Sequence, residues 1–221
     1  MRDRLGDDRL RLAELMAARL CHDLSGPLGA LMNTLEMVTE DPSCATEALP
    51  LANDVAMALG RRLRLVRAAW GGAGAALGVA DLRALSEAVG DRGKLTVDLS
   101  GLAPAGRFSA DGGRLVLNLL MLAGESLPAG GVVRLSGEPA REVVVQIEGA
   151  RAAWPVGLAG LLAEPARAWA MIGEGDGVRS VRGLQAPLTA LIAAAGGFRL
   201  SLLMAGSAEP APPLLMQPID G

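Results

Sequence analysis

The chain has 221 residues, 51% of them apolar, which suits one or two domains with a buried core and excludes disorder as its main state. Its formal charge is -3, and its twenty arginines, set against the single lysine Lys94, show no clustered basic excess of the kind that marks a nucleic-acid binder. No run reaches the roughly eighteen apolar residues of a membrane span, and the charged start MRDRLGDDRLRL lacks the apolar core of a secretory signal, so a cytoplasmic protein with no membrane or nucleic-acid partner is expected.

Apolar residues recur at Ala17, Cys21, Leu24, Leu28, Leu31, Leu35 and Val38 in alternating steps of four and three, a heptad pattern that predicts a helix. Asp41-Pro42-Ser43 interrupts it, since Pro42 is barred from a helix interior and Ser43 suits the cap of a following helix. The same spacing resumes at Leu49, Ala52, Ala56, Leu59, Leu63, Val66 and Trp70. Two helices joined by a short turn make a hairpin, and a lone hairpin leaves one side wet. A second copy completes a four-helix bundle, so a homodimer formed through residues from about 8 to 70 is expected. GGAGAALGV, Gly71 to Val79, reads as a linker, placing one domain at 1–72 and a second at 73–221.

Past the linker come short alternating or β-branched runs, KLTVDLSG, GGVVRLSG, REVVVQIEG, FRLSLLMAG and PPLLMQPI, with helix-like stretches near 81–90, 112–123, 156–171 and 184–195. The pattern predicts an α+β sandwich, one sheet covered by helices. Cys21 and Cys44 sit in no C-x-x-C or Cys/His cluster, so neither zinc nor a disulfide framework is indicated.

His22, the only histidine, lies in the stretch CHDLSGP of the first helix. At about 100° per residue it projects roughly 150° from the heptad face, toward solvent or a partner. Gly26, Gly29 and Asn33 share its face. Each glycine costs an exposed helix about 1 kcal/mol relative to alanine, and Pro27 removes a backbone donor. Such costs beside the only imidazole point to close approach of another molecule. A neutral imidazole is available near pH 7, and its ring nitrogen is a nucleophile.

CHDLSGP resembles the H-box of two-component histidine kinases and phosphotransferases, His-Asp/Glu-Leu-x-x-Pro, on the first helix of a hairpin. The resemblance implies that His22 accepts phosphate at Nε2, with Asp23 accepting a hydrogen bond from the ring or taking its proton. FSADGGRLVLNLLMLAGESLPAGGVVRLSG resembles the N-box region of the ATP-binding domain of the same kinases, with Asn118, Leu119, Leu120 and Ala123 matching. Leu122 stands where that family places a magnesium-ligating asparagine, and hydrocarbon offers no oxygen to a hard cation. Glu148 and Ala150 replace the Asp and Gly of the next box, RGLQAPLTALIAAAGG replaces the Gly-x-Gly-Leu-Gly loop, and VGLAGLLAEPARAWAMIGEG replaces the glycine-rich lid. GEGDG, residues 173–177, has neither P-loop nor dinucleotide spacing and reads as a surface loop. Gly26 occupies the position where the phosphatases among these kinases carry Thr or Asn.

The chain is thus identified as resembling the ChpT-type histidine phosphotransferases, with a dimerisation and phosphotransfer hairpin and a degenerate GHKL ATPase-like domain. That resemblance implies a phosphorelay role, passing a phosphoryl group between receiver-domain aspartates of a hybrid kinase and of response regulators. It implies no cofactor of its own, the magnesium being supplied by the receiver. The alternatives are a receiver-binding scaffold without chemistry and an ATP-dependent histidine kinase. Counting outward from the turn at Pro42 with equal rise on both helices brings Arg61, Arg62 and Arg64 level with His22. These arginines, with Ser25, Gly26, Gly29 and Asn33, are the expected docking surface for an acidic receiver site.

Overall fold

The computed structural model describes residues 4–72, 74–90, 94–174, 178, 181–204 and 211–219. Helix α1 runs Arg4–Glu40, and α2 runs Ala45–Trp70. Between them Asp41 accepts from the Ser43 backbone N–H at 3.0 Å and from the Ser43 hydroxyl at 2.6 Å, and caps the 3-10 turn Pro42–Cys44. Ser43 therefore donates into a cap instead of forming one. Pro42, with φ preset for a first helical position, moves the cap upstream to Asp41.

The heptad positions divide between two faces. Leu24, Leu31 and Val38 of α1 are half-buried in the hairpin, as are Leu59 and, more deeply, Ala52 and Val66 of α2. The alternate columns stay open: Leu28, Leu35, Leu49 and Leu63 are each 45 to 48% exposed.

After Gly71 and Gly72 the chain forms β1 (Leu77–Gly78), α3 (Val79–Ser86), β2 (Leu95–Leu102), β3 (Arg107–Phe108) and α4 (Ala110–Glu125). There follow β4 (Gly131–Glu138), β5 (Glu142–Glu148), α5 (Leu158–Ala163), α6 (Pro165–Gly173), a 3-10 turn (Val181–Leu184), α7 (Gln185–Ala195), β6 (Phe198–Leu202) and β7 (Leu214–Pro218). The main sheet has the order β2-β4-β5-β7-β6, with β2 parallel to β4 and the other pairs antiparallel. Alternation sorts its two faces: Val133, Leu135, Val143, Val145, Ile147, Leu200, Leu214 and Met216 are buried. On the other face exposed Arg134 pairs with Asp98 at 3.2 Å and with Glu148. A helical hairpin followed by an α/β layer with a mixed sheet is the expected architecture.

Local differences have local causes. The single helix expected over 156–171 breaks at Glu164, whose φ of -133° and ψ of 93° are the extended geometry imposed on a residue before proline. The helix expected over 81–90 stops at Ser86, and the two-residue strands β1 and β3, which pair antiparallel, are too short for any periodicity to announce. Residues 205–206 of FRLSLLMAG and 175–177 of GEGDG lie outside the described residues. Among the described residues no helix is long and apolar enough to cross a membrane.

The hairpin docks on the α/β layer through both helices. Leu65 and Ala69 at the end of α2 belong to the same buried cluster as α4 and the sheet. Leu15 of α1 joins Ile172, Val178, Leu184 and Leu188 in a second cluster.

Candidate functional site

His22 stands on α1 with its side chain 50% exposed. Its Nδ1 lies 3.3 Å from Asp23 Oδ1, at the long end for a hydrogen bond. With Nδ1–H donating there, Nε2 keeps its lone pair and faces away from the carboxylate.

Asp23 is held from two sides. Arg19, one turn earlier, donates from Nε to both carboxylate oxygens at 3.0 Å. Arg62 of α2 donates from Nη2 to Oδ2 at 2.6 Å and from Nη1 to the Ala88 carbonyl at 3.5 Å. Burial alone would raise the Asp23 pKa, but the hydrogen bond and charge of Arg62, then those of Arg19, hold it below the ordinary aspartate value.

Arg19 is itself buried, with its side chain 4% exposed. Its Nη1 donates to the Val181 carbonyl at 3.1 Å, and its Nη2 pairs with Glu125 at the C-terminal end of α4. Burial, reinforced by the Asp23 charge and opposed by Arg19 and Arg62, raises the Glu125 pKa. A continuous ionic chain, Glu125 to Arg19 to Asp23 to Arg62, thus joins the α/β layer to the residue beside the histidine.

The other expected site residues differ in exposure. Gly26 and Asn33 are exposed and Gly29 is half-buried. A Cβ built on Gly26 or Gly29 meets no heavy atom within 4 Å, so intramolecular packing does not demand either glycine. Ser25 is exposed and donates its hydroxyl back to the Cys21 carbonyl at 2.6 Å. Arg61 is half-buried and Arg64 exposed. Arg62 is level with the site, as the count from the turn predicts, but it differs from the expected docking residue: its guanidinium turns inward to Asp23. Sequence reasoning missed Arg19 and Glu125. The Arg19–Asp23 spacing of four on a helix was an available signal; nothing local pointed to Glu125, which is 106 positions from Arg19.

The region resembling an N-box has become structural. Asn118 donates from Nδ2 to the Ala69 carbonyl at 3.2 Å and the Arg114 carbonyl at 2.8 Å. Its Oδ1 accepts from Trp70 Nε1 and Gln185 Nε2, each at 3.0 Å. All its hydrogen-bonding capacity is used within the protein. Leu122 is fully buried, and Glu148 stands on the exposed sheet face beside Arg134. These residues do not fit a magnesium nucleotide. Among the described residues no group of three or more His, Cys, Asp or Glu side chains is placed to hold a metal ion.

Residues 79–208, more than half of the chain, match the family model for the histidine phosphotransferase C-terminal domain. The chain belongs to the histidine phosphotransferase family. Protein phosphotransferase ChpT of Brucella abortus (strain 2308) is 30% identical to it over 136 residues, 58% of this chain and 62% of that protein. The match therefore spans less than two thirds of the relative's length. A solved structure of a bacterial phosphotransferase shares the fold of this histidine phosphotransferase, with a TM-score of 0.70 at 23% identity over 94% of this chain and 95% of that one.

Proposed function

We propose that this protein is a phosphorelay phosphotransferase that carries a phosphoryl group between receiver-domain aspartates through a phosphohistidine at His22. The observation that supports this most directly is an exposed imidazole whose Nδ1 is beside a carboxylate held by two arginines, leaving Nε2 open. Nε2 attacks the phosphorus of an aspartyl phosphate, the N–P bond forms, and the P–O bond to the donor carboxylate breaks with its electron pair. The ring keeps its Nδ1 proton and becomes a cation, which Asp23 stabilises at short range. Return to the acceptor carboxylate reverses these bonds.

A receiver brings its own magnesium, so this chain needs no cofactor and takes no phosphate from ATP. The protein acts in the cytoplasm as a homodimer, with the open apolar columns of α1 and α2 as its interface. Ser25, Gly26, Gly29, Asn33, Arg61 and Arg64 form the docking face for the receiver, and Asp23 and Arg62 stand behind it.

The test mixes the protein with a purified receiver domain carrying labelled phosphate. Acid-labile, base-stable label is expected on the wild type and none on His22→Ala, whose stability should change by no more than about 0.5 kcal/mol because the ring is half exposed. Label on His22→Ala would overturn the assignment. Tight receiver binding by a wild type that never takes label would favour the scaffold reading.

A further inference from the structure

Asp23 follows His22 directly, and neighbouring side chains on a helix diverge by about 100°. The contact between Nδ1 and Oδ1 therefore needs the carboxylate to be steered. Arg62 reaches only Oδ2. Oδ1, the atom facing the ring, takes its other hydrogen bond from Arg19 Nε. Arg19 is in turn placed by two acceptors of the α/β layer, the Val181 carbonyl and the Glu125 carboxylate. Two cations and two anions make the group neutral, which suits its burial.

We propose that Arg19 and Glu125 are positioning residues for phosphotransfer, through which the α/β layer sets the tautomer of His22. The inference rests on the phosphohistidine reading above. Neither residue touches a reacting atom. Glu125 and Val181 orient Arg19, Arg19 fixes Oδ1, and Oδ1 selects the Nδ1–H tautomer with its nucleophilic lone pair on Nε2. An α/β layer whose own residues do not fit a nucleotide thus acts on the chemistry from below.

The single histidine makes the test clean, since long-range ¹H–¹⁵N spectra of protein labelled on histidine report one imidazole only. Phosphoramidate serves as a small phosphoryl donor that needs no partner protein. The wild type is expected in the Nδ1–H form. Glu125→Gln and Arg19→Lys should shift the ring toward the Nε2–H form and slow labelling about tenfold, short of the hundredfold that a full ångström of misplacement costs. Circular dichroism should stay unchanged, and Arg19→Lys, which keeps the charge without the fork, should not restore the wild-type tautomer. If Arg19→Lys fails to fold, the isosteric Glu125→Gln decides. Wild-type tautomer and rate in the folded variants would overturn the positioning role. A wild type that takes no label would instead sink the phosphohistidine reading, and the tautomer measurement would still judge the coupling by itself.

Discussion

A carboxylate gripped by two guanidinium groups is a weak base and a well-oriented acceptor, and this weighs between the two roles expected of Asp23. With its pKa lowered, it is poorly suited to take the ring proton and well suited to hold it on Nδ1. The same shift ties it to stability. The folded value lies below the unfolded one, so the ionised group contributes stability above the ordinary aspartate range and loses it as pH falls through the lowered folded value. Asp23→Asn should cost about 2–3 kcal/mol at pH 7, since it leaves the buried Arg19 and the partly buried Arg62 underpaired. Urea unfolding should show the gap to wild type narrowing below about pH 4; a gap constant into acid would deny the ion pair its role. The arginines of α2 divide similarly. Arg62→Ala should slow transfer without changing its salt dependence, because its charge is spent on Asp23. Arg64→Ala, on the wet face, should act through docking and flatten the salt dependence, as rim charges are screened within about 10 Å at 0.1 M. Equal salt slopes for both variants would leave no distinction between a positioning arginine and a docking one.

Helix α1 holds Gly26, Pro27 and Gly29 in its interior, three of the poorest helix formers within four positions. Neither glycine is needed to avoid a clash within the chain. Gly26→Ala and Gly29→Ala should therefore each stabilise the protein, by about 0.5–1 kcal/mol, while slowing transfer from a receiver. Thermal unfolding and transfer rates read the opposed signs, and a stabilised variant with an undiminished rate would remove these glycines from the docking face. Elements of this length were plain in the sequence because 3.6-residue periodicity accumulates over many turns, and the sheet strands because β-branched alternation is dense in runs such as REVVVQIEG. The break between α5 and α6 was hidden although Pro165 marks it, since apolar spacing continues across the proline. Ser43 was misassigned because Asp41 and Ser43 are both good caps and only the backbone decides between them. Among the residues of the site, His22 stood out by being unique and by its face on the helix. Arg19 did not, being one of twenty arginines, with its distinguishing partner 106 positions away on α4.

At the scale of the whole molecule, GGAGAALGV divides the pattern of the sequence but not the packing, because Leu65 and Ala69 before it are buried in the α/β core and Trp70 bonds to Asn118. Periodicity reports which face of a helix is apolar, not what covers it, so this docking was invisible until the chain was folded. It also decides which side of the hairpin is left open. Asp23 and Arg62 lie on the side covered by the α/β layer, with Asp23 about 140° around α1 from Leu28. With the two helices antiparallel, the open columns Cys21, Leu28, Leu35 and Leu49, Ala56, Leu63 turn to the opposite side together, and each repeats every seven residues as a four-helix bundle requires. His22, about 120° from Leu28 on α1, stays clear of that surface. The double change Leu28→Glu with Leu63→Glu should therefore separate the copies without emptying a core, since both side chains are nearly half exposed in the single chain. Light scattering at micromolar concentration should give the monomer mass of 22.6 kDa for the variant and twice that for wild type. Labelling by phosphoramidate should persist in the variant, because the imidazole, Asp23, Arg62, Arg19 and Glu125 all come from one chain. A monomeric wild type, or a variant that still dimerises, would mean that these columns are covered by something other than a second copy.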